Sequence, residues 1–113
     1  MSRVGDDPGG WEARTHRRFT EPVPVTVQLA VVFPDRAASV RTFQGVPLRV
    51  RSLGIDLSGT VPGSLRGWHR MASGSWWGLC DFTVRSRNGR LRLDLHQLVP
   101  AAALSPRHTG PDQ

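Results

Sequence analysis

Six arginines stand in two short runs, Arg49 and Arg51 in one and Arg85, Arg87, Arg90 and Arg92 in the other. A guanidinium presents a planar fork of N–H donors that meets the oxygens of a phosphate or carboxylate two at a time, and it stays charged at any pH a protein meets. Arginines in this number suit recognition of an anionic partner: nucleic acid, a phosphorylated ligand or an acidic protein. Trp77 shares the alternation parity of Arg85, so it could add a stacking ring to the same face. The competing reading is a solvated ribbon tip whose charges keep an exposed hairpin from aggregating, with Trp77 closing one end of a barrel.

Little else in the chain suits catalysis. Asp81 and His96 have the types of an acid–base pair. Cys80, the nearest nucleophile, has the opposite strand parity, so a cross-strand ion pair is the simpler reading. His16, His69, His96 and His108 have no metal-ligand spacing, and a lone cysteine makes neither a disulfide nor a thiolate metal site. Gly59 and Gly63 lack the Lys-Ser/Thr of a phosphate loop. We therefore expect a non-enzyme with no cofactor and no metal, and Cys80 in the core.

The charge is not spread evenly. The chain has 113 residues, a formal charge of +6, 15 basic residues that are all arginine, and no tyrosine. Residues 22–104 carry ten arginines against four acids, so the whole excess belongs to the expected folded part. Charge on a rigid frame can be aimed at a partner, unlike charge on a tail. The absence of lysine beside abundant Arg, Ala, Gly and Pro fits a GC-rich, bacterial genome. No apolar run reaches the roughly 18 residues of a membrane helix, and the N-terminus has no apolar signal core. A cytoplasmic protein without membrane contact is expected.

The elements that would position these residues read as β. Residues 1–19 are expected to be a disordered lead-in and 105–113 a disordered tail, leaving one domain over 20–104. Pro22–Phe33, rich in β-branched residues, reads as a first strand. Val46–Leu53 alternates, with Leu48 and Val50 on one face and Arg49 and Arg51 on the other, and reads as a second. Asp56–Gly63 reads as a loop, Leu65–Met71 as a third strand, Ser73-Gly74 as a turn and Arg36–Val40 as the best short helical stretch. Asn88-Gly89 favours a two-residue type I′ turn between Trp76–Arg87 and Arg90–Val99. That register opposes Val84 to Leu93, Phe82 to Leu95 and Cys80 to Gln97 on a core side. The other side opposes Arg87 to Arg90, Arg85 to Arg92, Thr83 to Asp94 and Asp81 to His96. Directly opposed like charges destabilise a sheet, and an anion would relieve them.

Two resemblances add to this reading. Ser75-Trp76-Trp77-Gly78, followed by Leu98-Val99-Pro100-Ala-Ala-Ala-Leu104, resembles the closing half of a Src-homology-3-like small barrel. The resemblance covers about 30 residues and implies a barrel frame with one helical turn before the last strand. Arg14-Thr-His-Arg-Arg18, with Asp56-Leu-Ser58 further on, resembles the signature of PilZ domains. That resemblance implies a cyclic di-GMP site in which Arg14 and Arg18 clamp phosphates while Asp56 and Ser58 hold base and phosphate. The expected fold is thus all-β: a single small open β-barrel of five to six mostly antiparallel strands with a short terminal helical turn. The leading function is a binding module with an arginine-rich face. The alternatives are a cyclic di-GMP sensor and a structural module dimerising through Trp77 and Leu79.

Overall fold

The computed structural model describes residues 14–34 and 46–107. Strand β1 spans His16–Gln28, ahead of both Pro22 and the expected boundary at residue 20, because His16–Arg18 pair with Gly67–His69. The ladder is interrupted between Arg18 and Val23. Pro22 lies in that irregularity, where its missing N–H breaks no pairing.

The expected strand stops short of Phe33. Leu29–Val32 form a single helical turn, α1, closed by the Phe33 N–H donating to Leu29 O at 2.8 Å. β3 begins only at Thr60, and Gly59 (φ 74°) turns the chain away before it. Beyond Gln28, β1 therefore has no ladder to extend. Leu29, Val32 and Phe33 stand at i, i+3 and i+4, the spacing that brings side chains to one helix face. Leu29 is buried and the other two pack against the core.

Val46–Leu53 is also corrected. Residues Leu48–Leu53 are a short helix, α2, not a strand. Pro47 precedes it with φ −58°, which suits helix entry. The Arg51 N–H donates to Pro47 O at 3.0 Å and the Gly54 N–H to Val50 O at 2.7 Å. A Cβ on Gly54 would lie 2.6 Å from Val50 O, so the exit needs glycine. Leu48, Val50 and Leu53 are all exposed, so the alternation buries no face.

The remaining strands are β2 (Ile55–Asp56), β3 (Thr60–Arg70), β4 (Trp76–Ser86), β5 (Arg92–Pro100) and β6 (Leu104–Pro106), with a 3-10 turn at Ala101–Ala103. β3 and β4 are joined through residues 71–75, with Gly74 at φ 99°. The expected loop over Asp56–Gly63 is shorter, since Thr60–Gly63 are already paired within β3. All pairings are antiparallel: β1 joins β3 and β6, β4 joins β3, β5 and the two residues of β2. β5 and β6 are edges of one sheet, and the 3-10 turn carries the chain from one to the other. The result is a curled, half-closed barrel of six strands with the expected terminal helical turn.

Val25, Val27, Leu29, Leu65, Cys80, Phe82, Val84, Val99 and Ala103 form the core. Cys80 is fully buried, as expected, and burial pushes its thiol up to about 11. The hairpin's core side holds along β4 but not along all of β5. Leu91 and Leu93 remain 57% and 50% exposed, since among the described residues no further element covers this part of the edge strand. No helix among the described residues is long and apolar enough to cross a membrane. Residues 1–13 of the expected lead-in, the Arg36–Val40 stretch and residues 108–113 of the expected tail lie outside the described residues.

Candidate anion-binding surface

The hairpin register is the expected one: Arg85 opposes Arg92, Thr83 Asp94, Val84 Leu93, Phe82 Leu95, Cys80 Gln97 and Asp81 His96. The turn is not. The Gly89 N–H donates to Ser86 O at 2.8 Å, which places Arg87 and Asn88 at the centre of the reversal, with Gly89 (φ 78°) after them. Ser86 and Leu91 close a four-residue loop through the Ser86 N–H to Leu91 O (2.9 Å) and the Leu91 N–H to Ser86 Oγ (3.0 Å). Asn88 Oδ1 accepts from Ser86 Oγ at 2.6 Å and from the Arg90 N–H at 3.0 Å. Asn88 therefore acts as a local acceptor that closes the turn. A four-residue loop between Ser86 and Leu91 is centred on the same Asn88-Gly89 pair as a two-residue one, so the register survives. The Arg87–Arg90 pair does not form.

This tip is joined to α2. The Arg87 N–H donates to Gly54 O at 2.9 Å and the Asn88 N–H to Ser52 O at 2.8 Å. β2 continues the attachment, with Ile55 opposite Ser86 and Asp56 opposite Arg85. Arg49 and Arg51, on α2, are thereby brought to the same end of the molecule as Arg85, Arg87, Arg90 and Arg92. Arg49, Arg85, Arg87, Arg90 and Arg92 are exposed and Arg51 is half-buried.

Among the described residues, two carboxylates, Asp94 and Asp56, stand at this end. Asp94 accepts from Thr83 Oγ1 at 2.6 Å and from Arg92 Nη2 at 3.0 Å. The Thr83 hydroxyl first, then Arg92 and Arg85, hold its carboxyl below the ordinary range. Asp94 thus partly relieves the Arg85–Arg92 opposition. Asp56 accepts from the Ser58 hydroxyl at 2.6 Å and the Ser58 N–H at 2.9 Å. Those bonds lower its pKa most, with a smaller contribution from Arg87.

Trp77 does not join this cluster. It pairs with His69 and Pro100 at the other end of β4, eight residues from Arg85 and so about 26 Å along the strand. The face parity was sound; the distance removes it from the arginines. Trp77 and Leu79 are each half-buried. Arg14 and Arg18 are not brought to Asp56 and Ser58. Arg18 opposes Gly67, which opposes Leu79, whereas Asp56 opposes Arg85. Six residues of β4 separate those levels, about 20 Å, and Asp56 and Ser58 bond to each other.

The sequence reading missed a second cluster, at the Trp end. Trp68, Trp76, Arg17 and Ala101 line an open cavity of about 240 Å³. The guanidinium carbons of Arg17 and Arg70 lie 5.5 and 5.8 Å from the Trp76 ring centre, within cation–π range. The Ser73-Gly74 turn was the available signal, because closing it sets Arg70 opposite Trp76. Nearby, His16 and His69 approach to 2.8 Å through their Nδ1 atoms.

Asp81 and His96 form the expected cross-strand pair, and Arg66 Nε adds a second donor to Asp81. The His96 hydrogen bond, followed by Arg66, keeps the Asp81 carboxyl below its ordinary pKa. Cys80 faces away from this trio, in the core. No family model matches the chain, and no curated protein or solved structure matches it.

Proposed function

We propose that the protein is a non-catalytic small β-barrel binding module whose arginine-rich end contacts an extended polyanion, with nucleic acid the best fit. The attachment of the hairpin tip to the α2 exit, through Arg87 to Gly54 and Asn88 to Ser52, carries the reading. It gathers six arginines from a helix, a turn and two strands at one end, where, among the described residues, two carboxylates are already engaged by close neighbours. Groups spread over four elements suit a chain of phosphates better than one phosphate. The strand order and the 3-10 turn before β6, at the Trp end, favour a Src-homology-3-like frame for the barrel as a whole.

The arginines would pair with backbone phosphates, which position a nucleic acid without reading its sequence. Binding then releases counterions, so log K falls linearly with log salt, with a slope of about −0.9 per phosphate on duplex DNA and about −0.7 on a single strand. Anisotropy of a labelled oligonucleotide between about 50 and 200 mM salt measures this slope. Binding that weakens steeply, with little sequence preference, is the expected result. Undetectable or salt-insensitive binding overturns the proposal, and binding confined to an acidic protein reassigns the partner.

A further inference from the structure

The open edge of β5 has a self-complementary order. Among the described residues β5 pairs with β4 alone. The Leu91 carbonyl accepts from Ser86 on β4, and backbone groups of an antiparallel strand alternate in direction. The N–H and C=O groups of Arg92, Asp94 and His96 therefore point to the open side. Leu91 and Leu93 lie exposed on the face shared with Phe82 and Val84. An open edge with exposed leucines invites another strand.

We propose that β5 pairs antiparallel with β5 of a second copy, with Leu93 on the two-fold axis. An isologous pairing opposes residue i to a residue j for which the two numbers have a constant sum. Centring on Leu93 sets Arg92 against Asp94 of the second copy and Asp94 against its Arg92, as outward-facing, hydrogen-bonded pairs. Leu93 meets Leu93, and Leu91 meets Leu95, in one apolar row. Centring on Arg92 or Asp94 would oppose two arginines or two aspartates, which is disfavoured. The chosen register also supplies the Arg85–Arg92 pair with a carboxylate across the edge. Its partner is a second copy because the charge and leucine order of this one segment complements itself. The inference does not depend on the nucleic-acid reading.

Leu93→Cys in the full chain tests the register. Opposed residues of a non-hydrogen-bonded pair have Cα atoms about 4.5 Å apart, within disulfide reach. Cys80 is buried, so the new thiol is the reactive one. Mild oxidation should give a covalent dimer with Leu93→Cys and little with Leu91→Cys, whose opposite residue is Leu95. Sedimentation of the unaltered chain should show a dimer that strengthens with salt, since screening relieves repulsion between two copies of charge +6. Arg92→Asp and Asp94→Arg should each abolish it, and the double exchange should restore it. A monomer at every concentration up to about 1 mM, equal crosslinking of both cysteine variants, or a dimer indifferent to the single exchanges would each overturn the proposal. Near-native circular dichroism of the variants separates these outcomes from unfolding.

Discussion

The two ends of the barrel both carry arginine but use it differently. At the Trp end, Arg17 and Arg70 lie over the Trp76 ring, and Arg70 Nε also donates to Gly74 O at 2.9 Å. Both residues are exposed, yet their guanidiniums have an aromatic ring within cation–π range. At the other end, six arginines from the tip and α2 gather near Asp94 and Asp56, which also accept from Thr83 and Ser58. The same residue type packs on a ring where an aromatic stands beside it, and gathers with its own kind where the hairpin turn meets α2. A bulk net charge does not distinguish these cases.

The largest expected effect would break or confirm that contrast directly. Replacing Arg85, Arg87, Arg90 and Arg92 together by alanine should lower oligonucleotide affinity by at least about 100-fold at low salt and flatten the salt slope by about one per lost phosphate contact. Arg17→Ala with Arg70→Ala, or Trp77→Phe, should change the affinity less than about two-fold, because these groups lie at the far end of β4. An equal loss from both sets would erase the distinction between the ends.

Stability should respond in the reverse order. A Cβ on Gly78 would come within 2.5 Å of Leu65 Cδ1 and 2.9 Å of Leu104 Cδ1, with Trp68 beside them. Gly78→Val should destabilise by about 1–3 kcal/mol through overpacking, read as a lower denaturant midpoint. Arg85, Arg87, Arg90 and Arg92, exposed, should each shift stability by no more than about 0.5 kcal/mol on replacement by alanine.

The smallest effects are in the pH dependence. Asp81 has a folded pKa below the ordinary 3.8, so its stabilising contribution is complete above about 4 and disappears as pH falls through the folded value. His69 has a folded pKa below 6.5, through burial first and then His16 and Arg18. The folded state there binds fewer protons than the unfolded, so stability falls as pH drops from about 6.5 toward the folded value. Both groups are largely solvated, and each effect should stay under about 1 kcal/mol. Unfolding titrations should show His69→Gln flattening the profile just below pH 6.5 and Asp81→Asn flattening it below pH 4. A slope unchanged by either variant would separate that group from its assigned contacts.

Legibility from sequence followed the range of the interactions. The β4–β5 register was readable because loop length and parity are local, and it survived even a wrong turn type. Burial of Cys80, Phe82 and Val84 followed from it. The alternation of Val46–Leu53 misled because a period of two implies a strand only where a partner covers one face; Pro47 and Gly54 instead frame a helix. The β-branched run ending at Phe33 misled for the complementary reason. Gly59 ends the β3 ladder, and Leu29, Val32 and Phe33 reach the core only through a helical turn.

The sequence by itself determined an all-β barrel class, the hairpin pairing and a large arginine excess within residues 22–104. These are consequences of composition, parity and turn chemistry. Only the tertiary structure decided which arginines stand together. Backbone bonds from the turn to Gly54 and Ser52 draw in Arg49 and Arg51, while the length of β4 keeps Trp77, Arg14 and Arg18 at the other end. Parity repeats every two residues and carries no distance, so sequence can assign a face to a residue but not its neighbours across the fold.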